Sequence, residues 1–373
     1  MTGSDTAAGD AFARLLATLA EVGDRFAGEE WSVVDPDDRA EGLAVVLDHL
    51  ATAFETQFRD SPAQPVLREI VTPWRKALGD NADAVYHDAA VHPDGVYEIT
   101  GTSPGSIYLS ITVEADAVDG AFPSGTVGVL NDTLIDVDDA GRFTVRLGGP
   151  AADRNWMALD PRASRLTIRQ YWEDTTSGAA GPGRDSRLRI RLLDGDVPDE
   201  PRASTDASTA RRIDRLSTYV RARTVDLIPK PGEGTPPAFV SQVPHEFPPP
   251  VPPGDHALAA ADAAYSMSPY LLGPDEALVI RARWPECRCA NVNLWNRFMQ
   301  TFDYTRHRIS LNRAQTEVDD DGWFTVVVAH RDPGVPNWLD TEGRPFGLVF
   351  WRYMLPEGPI ERPEAEVVHL PLP

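Results

Sequence analysis

Apolar residues recur at i, i+3, i+4 and i+7 in two stretches near the N-terminus. Phe12, Leu15, Leu16, Leu19, Val22 and Phe26 make the first set, and Leu43, Val46, Leu47, Leu50, Phe54 and Phe58 the second. That period places an apolar stripe along one side of an amphipathic helix. The run DPDD at residues 35–38 supplies an N-cap and first-turn carboxylates that suit the positive end of a helix dipole. Each stripe needs a partner, so the two helices are expected to pack on the region that follows or to pair with another subunit.

From about residue 84 the period shortens. VYEIT, SIYLSITV, FTVRL and RLTIRQYW are short β-type runs divided by Gly, Pro, Asn and Asp, and the pattern continues to RLRIRLLDG at 187–195. A third helical pattern follows, with Ile213, Leu216 and Val220 on one side. Residues 229–255 are too rich in proline for a helix or a central strand, so they are expected to form an extended connector lying against the protein surface. A second β-rich region then runs to the C-terminus. The expected organisation is a helical region over 1–80, a first β repeat over 81–200, a helix plus proline-rich linker over 201–256, and a second β repeat over 257–373.

The two β regions are related. A shift of 181 residues lays PDGVYEITGTSP, from Pro93, onto PDEALVIRARWP, from Pro274. At the same offset Asn131 meets Asn312 and DDAGRFTV (138–145) meets DDDGWFTV (319–326). One inserted residue later NWMALD meets NWLDTE, and IRQY (168–171) meets FWRY (350–353). Duplication of a β domain accounts for this. The fold class expected is mainly β with an N-terminal helical region and two duplicated jelly-roll or β-sandwich-like domains. A residue kept in both copies is the better candidate for serving the fold.

Composition narrows the function classes. The formal net charge of −22 opposes non-specific binding to nucleic acid or to an anionic membrane surface. No apolar run approaches the ~20 residues that span a bilayer, and the N-terminus lacks a signal-peptide pattern, so no membrane insertion and a cytoplasmic location are expected. Cys287 and Cys289 have no further ligands at zinc spacing and are read as reduced, structural thiols; no metal and no cofactor are expected.

Several motifs imitate known chemistry. HRDPGVPNW, from His330, copies a kinase catalytic loop, but only 36 residues follow Asn337 and the other kinase elements are missing. Its counterpart GGPAADRNW keeps only Asn155 and Trp156, which points to a turn with a buried Trp and an Asn side chain bonded to backbone. DVDDAG (136–141) and EVDDDG (317–322) resemble a terpene-cyclase acid motif and a calcium loop, yet both fit an Asp-rich, Gly-ended turn, and position twelve of the calcium pattern is Leu147 or Val328.

The second copy concentrates polar and aromatic residues. Trp295, Arg297, Tyr304, Arg308, Asn312, Arg331 and Arg352 are candidate ligand-binding residues, because arginines among aromatics suit an anionic or planar ligand. His307, His330 and Asp332 are candidate acid–base groups. The segments NADAVYHDAAVHPDGVYEITG, DDAGRFTV, NWMALDPRASRLTIRQYW, NLWNRF and AHRDPGVPNW resemble the bacterial domain-of-unknown-function family numbered 1214, as found in actinobacteria. The resemblance covers about residues 80–370, implies a jelly-roll-like fold, and brings no established catalytic residues. The leading expectation is an accessory enzyme or handler of a small organic ligand, lipid-, steroid- or terpenoid-like, in a pocket of the second copy. The rivals are a non-catalytic carbohydrate- or small-molecule-binding module, with a groove of exposed Trp and Tyr, and a protein-interaction scaffold, with an exposed apolar patch on the N-terminal helices.

Overall fold

The computed structural model describes residues 6–103, 105–176, 187–199, 205–230, 232–254, 256 and 258–371. Three helices form one layer. Helix α1 (Ala7–Phe26) starts where the Thr6 side chain accepts the Gly9 N–H, and α2 (Pro36–Ala53) where Asp35 accepts from Asp37 and Asp38, the cap that DPDD specifies. Helix α3 (Asp206–Ala222) carries a capping box between Thr205 and Ser208. Leu15 on α1 and Ile213 and Leu216 on α3 share one buried cluster, and Val22, Phe26, Val45, Val46 and Val220 share another with Phe298 of the second β unit. A Cβ at Gly42 would lie 2.7 Å from Phe298 Cζ and 2.8 Å from Ala27 Cβ, so only glycine permits that docking.

The β region forms two sandwiches. In the first, β1 (Arg68–Val71), β2 (Ala84–Ala90), β8 (Ala163–Tyr171), β4 (Tyr108–Ala115) and β5 (Gly125–Asn131) lie side by side in one sheet. Strands β7 (Trp156–Met157), β6 (Arg142–Leu147), β3 (Val96–Thr102) and β9 (Arg189–Asp194) make the other. In the second, β10 (Ala263–Leu271), β16 (Phe346–Met354), β12 (Cys289–Trp295) and β13 (Ser310–Asn312) face β15 (Trp338–Asp340), β14 (Trp323–Ala329), β11 (Glu276–Arg283) and β17 (Glu364–His369). Apart from β1, the strand orders correspond one for one. Strand β1 falls within the span expected to be helical and extends the first sandwich instead.

Burial patterns reveal the layering. Strands β3 and β6 alternate, with one face inward and one toward solvent, whereas β4 and β8 are buried at every position. Strand β12 is likewise buried throughout, and β10 is buried up to its last residue. The inner sheets of the two sandwiches therefore pack on each other, with Tyr86, Tyr108 and Tyr171 of the first against Tyr265, Phe350 and Met354 of the second. Each sandwich keeps its own apolar core as well.

Strand register confirms the duplication and corrects one detail of it. Arg169 lies opposite Tyr86 and Ser110, and Arg352 opposite Tyr265 and Asn291. The counterpart of Arg352 is therefore Arg169, displaced by 183 residues, because a second insertion precedes β16. Arg352 is not peculiar to copy two. The Asn-Trp pair behaves as expected of a fold element. Asn155 Nδ2 donates to the carbonyls of Asp136 and Thr144 while its Oδ1 accepts the Asp136 N–H; Asn337 repeats this with Glu317 and Thr325. The Trp156 and Trp338 indoles donate to Gly148 and Ala329 carbonyls and are half-buried, where burial was expected. The Asp-rich segments are tight turns: the Gly141 N–H donates to the Asp138 carbonyl, and the Gly322 N–H to Asp319, with φ of 73° and 81° at the two glycines.

The proline-rich connector lies along β10. Val251 exchanges backbone hydrogen bonds with Tyr265, Met267 donates to Phe239, and Phe247 is buried in the second core. Its main chain thus covers a sheet edge that would otherwise be open. The helical layer touches both sandwiches. Arg215 pairs with Asp119 at 2.9 Å on the first, while Arg297 pairs with Asp38 at 3.0 Å and Arg344 with Glu41 at 2.8 Å on the second.

His49 on α2 is buried with its Nε2 unpartnered, and burial, aided by Arg223, pulls its pKa down to about 3. The folded state therefore holds the neutral ring. Its contribution is complete above the unfolded value near ~6.5 and is lost as pH falls toward about 3, with a limiting slope of ~1.4 kcal/mol per pH unit. Urea melts at pH 7 and 5.5 should differ by about 1 kcal/mol more for the wild-type chain than for His49→Leu.

Candidate functional site

The seam between the inner sheets is the most polar part of the interior. Asn131 of the first copy donates to Asp262 Oδ2 at 2.7 Å, and Asn312 of the second donates to Asp83 Oδ1 at 3.1 Å. Asp83 and Asp262 occupy equivalent places: their carbonyls accept the N–H groups of Trp172 and Leu355 as β8 and β16 end. The seam is thus a pseudo-two-fold in which each copy's Asn reaches the other's Asp. Arg352 donates to the hydroxyls of Tyr86 at 3.0 Å and Tyr171 at 3.3 Å and to the Gly79 carbonyl at 3.1 Å. Its counterpart Arg169 donates to Thr112 at 2.8 Å and to the Leu258 carbonyl at 2.9 Å. Each guanidinium lies 5.5 Å from the ring of its own cross-strand tyrosine, Tyr265 or Tyr86.

A second charged group sits at one end of the seam. Lys76 donates to the Thr301 carbonyl at 2.7 Å and hydroxyl at 2.8 Å, and Asp80 accepts the Thr301 hydroxyl at 2.5 Å and N–H at 2.8 Å. Burial pushes the Asp80 carboxyl up and the Lys76 ammonium down, each opposed by the other's charge. Among the described residues Arg352 Nε and Asn293 Nδ2 have no hydrogen-bond partner. A cavity of about 10 Å³ beside Asp83, Asn291, Asn312 and Arg352 has room for a single water.

The ten residues singled out in the sequence divide between this seam and the surface. Trp295 is buried, donates to the Asp80 carbonyl at 3.1 Å and stacks on Phe350 at 4.2 Å. Tyr304 is buried beneath Lys76, 4.6 Å from its ring centre. With Asn312 and Arg352 they hold the sandwiches together. Arg297 turns to the helical layer, donating to the Ser32 carbonyl at 2.8 Å. Exposed Arg308 donates to the carbonyls of Pro336 and Gln315. His307 is exposed and bonds Asp340 at 2.8 Å, while His330 is half-buried between Thr341 Oγ1 at 2.5 Å and the Leu272 carbonyl at 3.4 Å. Arg331 pairs with Asp275 at 2.5 Å in solvent, and Asp332 accepts the Gly334 N–H within a turn. These four do not line the seam cavity, nor the groove described next. Each is occupied locally.

The larger concavity lies on the first copy, where sequence reasoning did not place a site. It measures about 660 Å³ on the outer sheet, and its lining includes Thr100, Arg142, Thr144 and Arg189 together with the carboxylates Asp136 and Asp138. The available signal was the alternation of polar and apolar residues, with Thr100 and Thr102 on β3, Arg142 and Thr144 on β6 and Arg189 and Arg191 on β9, which marks a polar outward face. Among the described residues no cluster of three or more His, Cys, Asp or Glu could hold a metal. Burial pushes the Cys287 thiol up to about 11 and Cys289 up as well, so both stay protonated at neutral pH.

A third feature is apolar. On α2 and just past its end, every exposed position from Ala40 to Phe54 is Ala, Leu or Phe, and on α1 the exposed positions between 12 and 20 are Phe12, Ala13, Leu16, Ala17 and Ala20 with Arg14, flanked by exposed Asp10, Glu21 and Asp24. Phe12 and Leu16 are each 53 % exposed, Leu43 40 %, Leu47 61 % and Phe54 38 %. The two helices meet where Leu43 lies over Gly23. Two of the six stripe residues on α1 and three of the six in the second stripe thus face solvent, so packing within the chain buries only part of each stripe.

Together these define a duplicated β-sandwich protein whose two copies are locked through a polar seam under a helical layer. A putative uncharacterized protein from Burkholderia cenocepacia has the same fold along 97 % of both chains, at a TM-score of 0.79 and 24 % identity. The VPA0106 protein from Vibrio parahaemolyticus is similar over 94 % of this chain and 99 % of its own, at a TM-score of 0.51 and 13 % identity. No family model and no curated protein matches the chain. Among the described residues no helix is long and apolar enough to cross a membrane.

The seam predicts its own sensitivity. Asp83→Ala leaves the buried amides of Asn291 and Asn312 without their carboxylate and is expected to lower the unfolding free energy by about 2–4 kcal/mol, measured in urea, with Asp83→Asn costing less than half of that.

Proposed function

We propose that this chain is an interaction scaffold that assembles with a second copy of itself through the outer faces of α1 and α2. The observation that carries this is the run of exposed Ala, Leu and Phe on both helices. In a chain that is 25 % charged, a surface of this kind normally belongs to an interface. Large side chains (Phe12, Leu16, Leu43, Leu47) alternate with alanines (Ala13, Ala17, Ala40, Ala44), so ridges of one copy fit grooves of another under a two-fold axis. The flanking charges of this surface are already paired, Arg14 with Asp214 and Arg39 with Asp24, which leaves little to recruit a charged partner.

The same residues weigh against a ligand pocket in the second copy. That reading needed His307, His330, Arg331 and Asp332 around one concavity, whereas each is held by a separate neighbour. The proline connector is bound along β10, which argues against its recruiting a partner.

Sedimentation velocity tests the assembly. The wild-type chain is expected to dimerise at micromolar concentration, and more tightly as salt rises from roughly 50 to 500 mM, because each copy carries a net charge of −22. Leu16→Asp with Leu47→Asp should give a monomer with an unchanged circular dichroism spectrum. A wild-type chain that stays monomeric across that range sinks the proposal.

A further inference from the structure

The outer sheets of the two sandwiches are built from equivalent strands but carry opposite charge arrangements, and from that asymmetry we propose that the groove of the first copy binds a small molecule through an oxyanion, a phosphate or carboxylate group. In the second copy Arg281 on β11 stands opposite Glu364 on β17, with Glu366 at the next outward position. Arg281 also lies over Trp323 at 5.1 Å and 3.6 Å from Asp321. Its charge is answered within the protein.

The same positions of the first copy hold Thr100 opposite Arg189 and Glu98 opposite Arg191. Arg191 is taken by Glu98 at 2.7 Å. Arg189 faces a hydroxyl instead of a carboxylate, is exposed, and its side chain has neither an ion pair nor a hydrogen bond among the described residues. Nearby, Arg142 is held by Asp138 through its Nε alone at 2.8 Å, which steadies the guanidinium while leaving its terminal nitrogens for a ligand. Thr100, Thr102 and Thr144 share the outward face, since they alternate with buried Ile99, Gly101, Phe143 and Val145. The two carboxylates that line the groove are occupied: Asp136 pairs with Arg154 at 2.6 Å, and Asp138 accepts from Ala140 and Arg142.

One braced guanidinium, one guanidinium unpaired among the described residues and the hydroxyls of Thr100 and Thr144 form a donor set for a tetrahedral or planar oxyanion. The volume, about 660 Å³, falls in the range of small-molecule sites. A net charge of −22 repels anions in general, so oxyanion binding to this chain requires a local site of this kind.

Calorimetric titration of the full chain at low ionic strength with inorganic phosphate, pyrophosphate and citrate tests the site, and the phosphate and citrate arms separate the two oxyanion classes. The variant T100R/R189E installs the arrangement of Arg281 and Glu364, which the second copy already accommodates. It is expected to melt like the wild-type chain and to bind about 10-fold more weakly or not at all. Glu364→Gln, on the other sandwich, should leave binding unchanged. Should the double variant fail to fold, Arg189→Gln is titrated in its place, with a loss of at least about 5-fold expected. A wild-type chain that binds none of the three at millimolar concentration overturns the proposal, as does a folded variant that binds within two-fold of wild type.

Discussion

Two guanidiniums, Arg169 and Arg352, are buried between the inner sheets, and the remainder of the molecule is arranged around keeping them bonded and dry. A charge removed from water costs several kcal/mol unless close partners replace the solvent. The partners come from both copies: hydroxyls of Tyr86 and Tyr171 for Arg352, and the Leu258 carbonyl for Arg169. Neither sandwich could satisfy its own arginine alone. The seam therefore binds the two copies into one body, and the exchanged pairs Asn131–Asp262 and Asn312–Asp83 fix how they face each other.

The other elements protect this arrangement. Lys76 and Asp80 close one end of the seam through Thr301. The connector covers the edge of β10, and the helical layer holds an arginine contact on each sandwich. These are directional interactions, so they set geometry as well as adding stability. The exposed apolar residues of α1 and α2 are a different case, because none of the described residues covers them.

Duplication separates what serves the fold from what was free to change. Both copies keep the Asn that staples a turn, the Trp that donates to a strand carbonyl and the glycine at positive φ. Outward faces differ, since a solvent-facing side chain is constrained only by its neighbours. Thr100 beside Arg189 and Arg281 beside Glu364 are two solutions on one scaffold.

The amino-acid sequence by itself determined the helices, the β class, the duplication and the role of Asn155 and Asn337, because these follow from local periodicity, capping and repetition. It also marked the Asn337–Trp338 end of HRDPGVPNW as part of a turn, while leaving His330, Arg331 and Asp332 as candidates. It could not place the candidate residues of the second copy. Trp295, Tyr304, Asn312 and Arg352 look like a binding set in one dimension, but stacking of the inner sheets turns them inward as the cement between sandwiches. Register was equally hidden: one extra residue before β16 reassigns the partner of Arg352 from Gln170 to Arg169, and only strand pairing reveals it. Whether an apolar stripe is buried, or an arginine finds a carboxylate, depends on what packs beside it across tens to hundreds of residues of chain. Those contacts exist only once the tertiary structure has formed.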